Sequence, residues 1–203
     1  MRRTKEEAEK TRLKIIEAAL TLFSRNGYSN TTLAMIATEA GYSRGPIYWH
    51  FKNKDDLYQA VLSYSQQPLE SLISEAAAQQ VQPLQAIDTF VRRWLELLVE
   101  DSWFRQSFEI LLNKTELTEA LAPTLKRERK LTRRIIDTLS QLLAAARDKG
   151  LIPATQSPEQ LGLMLYTLLM GITQSWLFAP KLFSLKKERE FFVGRMHALL
   201  QQD

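Results

Sequence analysis

Apolar residues recur along this chain at intervals of three and four, the spacing that puts them on one face of a helix. Ile15, Ile16, Ala19, Leu22 and Phe23 mark a first helix that runs to about Asn26, and Gly27 ends it. Leu33, Ile36, Ala37 and Ala40 mark a second, with Thr31 as its N-cap and Gly41 as its stop. Ser43 caps a third, very short helix that ends near Phe51, with Pro46 in its first turn, where a missing N–H does no harm. Asn53 caps a long fourth helix with Asp55 and Asp56 in its first turn and Leu57, Val61, Tyr64, Leu69, Leu72 and Ile73 on its face. Pro68 kinks or breaks that helix.

From Pro83 onward nothing reads as a strand. Pro83 opens a helix with the stripe Leu84, Ile87, Phe90, Val91, Trp94, Leu95 and Leu98, and a short amphipathic helix carries Trp103, Phe104, Phe108 and Ile110. A long helix then spans about Glu119 to Lys149. Its basic segment KRERKLTRR is expected to be a solvated face, with Glu128 and Asp137 as partial partners, in preference to a second DNA contact. Ser157-Pro158 starts a helix apolar on nearly every side, and a last helix covers about Leu185 to Gln201. The prediction is an all-α protein of about nine helices, with a three-helix head over residues 1–52 and a helical body over 53–203.

Two helices joined by a short turn containing Gly make a helix-turn-helix, whose second helix enters the major groove of DNA. Here that helix and its exit carry Arg44, Gly45, Tyr48, Trp49, His50, Lys52 and Lys54 on a segment too short to stand by its own propensity. Charge agrees. Residues 1–54 hold ten Lys and Arg against five Asp and Glu, a net +5, and the rest of the chain nets −1. A basic head on a neutral body is the electrostatic footprint of DNA binding. The charged arm Met1 to Lys10, with Arg2, Arg3 and Lys5, is either a solvated tail or a phosphate contact.

The stretch TTLAMIATEAGYSRGPIYWHFKNKDDLYQAV resembles the DNA-binding domain of the TetR family of bacterial transcriptional repressors. RGPIYWHFKNK, with WLFAP and FSLKKE later in the chain, resembles the AcrR-type repressors of multidrug efflux genes. Tyr42 and Pro46 depart from the small residues usual at those places in the family. The resemblance implies a cytoplasmic homodimer on a palindromic double-stranded DNA operator, released by a small hydrophobic or amphipathic ligand. It also implies that the last two helices pair across the dimer, for which Leu165, Leu168, Ile172, Phe192, Met196 and Leu199 are expected. Ligand contact is expected at Leu62, Gln66, Leu69, Trp103, Ser107, Leu111, Tyr166, Met170 and Gln174, with Glu70 and Glu109 the nearest acids for a cationic ligand.

For DNA, Arg44 is placed to hold guanine O6 and N7, Gly45 lets the backbone approach the groove, and Tyr48 reaches a thymine methyl or a phosphate. Thr31, Thr32, Ser43, His50, Lys52 and Lys54 are expected on phosphates. Phe51 reads as core, and Trp49 fits either role.

Other chemistries find little support. There is no Cys, and His50 and His197 are far apart, so neither a disulfide nor a metal site is expected. No Walker loop, GxGxxG, HExxH or nucleophile–base pair appears, so neither a cofactor nor an enzyme is expected. No apolar run is expected to cross a membrane. The alternatives are a DNA-binding regulator without a small-molecule effector, or a helical adaptor that binds protein.

Overall fold

The computed structural model describes residues 5–116 and 118–201; the expected contacts of Arg2 and Arg3 lie outside them. Among the described residues there are ten α-helices and no strand. They are α1 (Lys5–Asn26), α2 (Leu33–Glu39), α3 (Arg44–His50), α4 (Lys54–Ser65), α5 (Gln67–Ala78), α6 (Pro83–Glu100), α7 (Ser102–Asn113), α8 (Ala122–Asp148), α9 (Pro158–Phe178) and α10 (Leu185–Leu199).

Two compact units result. One comprises Met1–Gln67 with Trp103–Leu125, and the other Pro68–Ser102 with Lys126–Asp203. The first therefore runs past residue 52 and recruits α4 and α7. Ile15, Ile16, Phe23, Ile36, Ile47, Phe51, Leu57 and Tyr58 form its core, with Ile110 and Leu121 from the later segment. Polar bonds tie the same pieces together: Tyr28 N–H donates to Lys114 O at 2.9 Å, and the hydroxyls of Tyr58 and Thr115 lie 2.7 Å apart.

The expected long fourth helix is two helices. α4 ends at Ser65, Gln66 is its C-cap, and α5 begins at Gln67 with Pro68 in its first turn. A proline does not break a helix at its own position when a new helix can start just before it. Likewise, Glu119–Leu121 is a 3₁₀ turn, and α8 starts only at Ala122.

In the second unit, α6 buries Ile87, Phe90, Val91, Trp94, Leu95 and Leu98. The Trp94 indole N–H donates to Thr173 Oγ1 of α9 at 3.0 Å, satisfying a donor that burial would otherwise orphan. α9 meets α8 closely at Gly162, where a Cβ would stand 3.0 Å from Ser140 N and 3.2 Å from Ile136 O. α10 lies along α6 and is tied to it by Arg189–Glu96 (2.9 Å), His197–Asp88 (3.0 Å) and Arg92–Glu190.

Candidate nucleic-acid interface

The α2–turn–α3 motif is built by local rules. Thr32, not Thr31, is the N-cap of α2: its Oγ1 accepts from Met35 N–H at 3.2 Å. Thr31 is fully buried, and its hydroxyl donates to Gly27 O at 2.7 Å, with Leu22 O at 3.3 Å. Its expected phosphate contact is therefore corrected, because the side chain faces the core. Gly41 has φ 72°, and two bonds close the helix end: Gly41 N–H to Thr38 O (3.1 Å) and Tyr42 N–H to Ala37 O (2.9 Å). This double closure turns the chain sharply and needs the left-handed conformation that glycine adopts without strain.

Helix α3 has only seven residues, so its neighbours must hold it. Ile47 is fully buried, and the C-cap Phe51 is 3% exposed, with the Arg12 guanidinium 5.7 Å from its ring. The opposite face is open: Tyr48 is 58% exposed and Trp49 68%, while Arg44 and Gly45 are exposed as well. Trp49 is thus a surface residue, with the His50 ring edge-on at 4.8 Å. A Cβ on Gly45 would meet only Ser43 Oγ, at 4.0 Å, so the fold leaves this position open to close approach from outside. Ser43 occupies the N-cap position, but its side chain makes no capping bond.

Lys52 is exposed, and its backbone N–H donates to Asp56 Oδ2 at 3.0 Å. Asn53 caps α4 by accepting from Asp56 N–H at 2.8 Å. Lys54 is half-buried: its Nζ donates to Tyr28 O at 3.0 Å and lies 4.1 Å from the Tyr28 ring centroid. Burial lowers its pKa from the ordinary lysine value, against the opposing pull of Asp55. Tyr28 donates to Asp55; burial first, then this hydrogen bond and the carboxylate's charge, push the phenol above its ordinary value. Thr32, Ser43, Arg44, Gly45, Tyr48, Trp49 and Lys52 are thus the expected residues that reach the surface, with His50 and Lys54 half-buried beside them.

The residues expected to meet a ligand divide between the units. In the first, Leu62, Gln66 and Ser107 are buried, while Trp103 and Leu111 are half-buried, and the Trp103 ring lies 5.1 Å from that of Tyr64. In the second, Leu69 is buried, while Tyr166, Met170 and Gln174 are half-buried, and the hydroxyls of Tyr166 and Thr132 lie 3.2 Å apart. Both nearby acids are engaged. Glu70 holds Arg127 at 3.0 Å, and Glu109 accepts from Ser24 at 3.3 Å.

Of the residues expected at a dimer interface, Leu165 and Met196 are corrected: they are 0% and 4% exposed and belong to the subunit core. Leu168, Ile172 and Phe192 are half-buried, and Leu199 is 36% exposed. The sequence reading missed Leu163, Phe178 and Phe191, which stand out at 50%, 81% and 59%. It also underrated α9, which is long and apolar enough to cross a membrane by length and composition, with 28% of its apolar window buried. Among the described residues, no three or more His, Cys, Asp or Glu gather as metal ligands would.

Two family models match. Residues 15–61 match "Bacterial regulatory proteins, tetR family", and residues 82–202 match "MAATS-type transcriptional repressor, C-terminal region". The HTH-type transcriptional regulator AcrR of Shigella flexneri is 34% identical over 95% of this chain and 90% of its own length. The crystal structure of NalD, the secondary repressor of the MexAB-OprM multidrug efflux pump in Pseudomonas aeruginosa, superposes with a TM-score of 0.86 at 30% identity, covering 98% of this chain and all of NalD. A complex of SmeT with triclosan gives 0.81 at 26% identity, covering 96% of this chain and 93% of that one; SmeT is the repressor of the Stenotrophomonas maltophilia efflux pump SmeDEF.

Proposed function

We infer the function from one premise: the chain belongs to the TetR family of bacterial transcriptional regulators. It is a DNA-binding repressor, and its ligand-responsive relatives govern multidrug efflux. We propose that it acts in the cytoplasm as a homodimer on a palindromic operator, one recognition helix per half-site, and controls efflux genes. The observation that carries this reading is the division of α3, with Ile47 and the C-cap Phe51 seated in the core and Arg44, Tyr48 and Trp49 held out beside a Gly45 that opens the way for DNA backbone.

The proposed second copy covers the exposed side of α9 and α10, where Leu163, Phe178, Phe191 and Leu199 stand beside half-buried Leu168, Ile172 and Phe192. An apolar surface of this kind is a partner's surface in a DNA-binding regulator. The proposed inducer is a small, neutral, hydrophobic or amphipathic molecule that hydrogen-bonds with residues such as Gln66. The pairing of Glu70 with Arg127 and of Glu109 with Ser24 argues against a cation as the preferred ligand.

Release follows from linkage. A ligand that weakens operator binding tenfold must discriminate between the two states by about 1.4 kcal/mol. The test is fluorescence anisotropy of a labelled operator at fixed salt, with and without a panel of amphipathic compounds. Release by several unrelated compounds is expected; tight binding that none disturbs would leave a repressor without a broad-range inducer.

A further inference from the structure

Within the second unit, α5 and α6 leave a cleft between them that is lined by none of the residues expected to meet a ligand. It encloses about 420 Å³, the size of a small-molecule site. Its floor is apolar: Leu72 and Ala76 lie one turn apart on α5, Ala86 and Phe90 one turn apart on α6, and all four are buried. Alanine at two of these places leaves space that a larger side chain would fill. The rim is polar. Glu75, Gln79, Gln82 and Gln85 are exposed there, and their side chains form no hydrogen bond or ion pair among the described residues. Gln82 stands at the N-cap position of α6 without capping it. The turn between the two helices is held from outside: Lys149 Nζ donates to Gln80 O at 3.1 Å and to Val81 O at 2.5 Å, so Gln79 and Gln82 flank a fixed turn.

We propose that this cleft is a separate ligand site and that it takes a small organic cation with a planar apolar body and several N–H donors. Charge points to a cation. Glu75 lies in the last turn of α5, where the helix dipole disfavours an acid, and no basic residue stands in that turn. The Lys149 ammonium is spent on the two carbonyls and forms no ion pair with Glu75. A cation in the cleft meets both the carboxylate and the carbonyl end of the helix. The rim also supplies acceptors, because three glutamine amide oxygens beside a carboxylate can take the N–H groups of a flat cation while the floor takes its apolar body. The residues expected to meet a ligand offer the reverse chemistry, since the acids nearest them are engaged, Glu70 with Arg127 and Glu109 with Ser24.

The probe is para-fluorobenzamidine, a planar cation with several N–H donors, set against its neutral isostere para-fluorobenzamide. Each is titrated into the full chain without DNA and followed by fluorine NMR. Saturable binding of the cation is expected, with the neutral compound about tenfold weaker, as the loss of a charge-assisted hydrogen bond implies. Glu75→Gln is expected to bring the cation down to the level of the neutral compound. Ala78→Phe, at an exposed position on the cleft wall, is expected to weaken both compounds by filling the space. Both substitutions are on the surface, and circular dichroism checks that the helices are kept. Equal affinities for the two compounds, binding that does not saturate, or a preference for the cation that survives Glu75→Gln each overturn the proposal. So does binding that Ala78→Phe leaves intact, which would put the probe elsewhere on the protein. No DNA takes part, so a failure here leaves the repressor reading standing.

Discussion

Helix α3 holds Tyr48 and Trp49 out to water on seven residues, while α9 holds out Leu163 and Phe178 on twenty-one. The surroundings tell the two apart. Around α3 the exposed rings sit among Arg44, Ser43 and Lys52, and the helix is pinned by one buried isoleucine and its C-cap. Around α9 the exposed Leu163 and Phe178 are separated by exposed Thr167, Gly171 and Ser175, all uncharged, and no cation follows until Lys181. Aromatic exposure mixed with cations and short capped structure fits a polyanion, whereas large apolar residues set among small uncharged ones along a long helix fit another protein face.

The comparison breaks most visibly at Phe178. In a two-fold interface each side chain counts twice, so Phe178→Asp is expected to weaken the dimer by about 3–6 kcal/mol while leaving the monomer's helices intact. Sedimentation equilibrium reads this directly, and an unchanged dimer would place the partner face elsewhere. Next comes Ile47→Ala, which empties a fully buried site and is expected to cost about 2–5 kcal/mol of stability. Trp49→Ala on the same helix is expected to leave the melting curve within about 0.5 kcal/mol and to weaken only DNA binding. Comparable thermal losses for the two would contradict the division of α3 into an inner and an outer face.

Arg44→Ala is expected to cost about 1–3 kcal/mol of operator affinity and to relax one base position. Uniform weakening over all operator variants would move Arg44 to phosphate. The smallest effect is a pH dependence in the head. Tyr28 has a folded pKa raised above its unfolded value of 10.0, so its stabilisation is complete below pH 10 and declines as pH rises beyond it. Chemical denaturation of Tyr28→Phe is expected to decline less steeply than wild type from pH 10 to about 11; parallel curves would assign the decline to other groups.

Legibility in the sequence follows the same divide. The caps and glycine of α2–α3 are local signals, so both helices, the turn and the outward Arg44 could be read before any packing was known. Two adjacent threonines offered the same capping chemistry, and only burial decided that Thr31 turns inward and Thr32 caps. The bond of Lys54 to Tyr28 is not legible, because nothing near Lys54 in sequence announces that Tyr28 lies within reach. In α9 the failure has another cause. A helix apolar all round has no phase, so the sequence could not tell that Leu165 faces the core and Leu163 the outside. Contacts such as Trp94 with Thr173 set that phase, and they join residues far apart in the chain.

The ties between α6 and α10 have a consequence for how a signal can pass through the second unit. Along α6 the sequence Asp88, Arg92, Glu96 alternates in sign one turn apart, and α10 answers in reverse order with His197, Glu190 and Arg189. The most exposed of these pairs, Arg92–Glu190, holds weakly. Their order nevertheless works as a key: a slide of one turn would set Arg189 against Arg92 and Glu190 against Asp88. The two helices therefore travel together as one strut, and any shear that a ligand imposes has to be taken up by the helices around that strut.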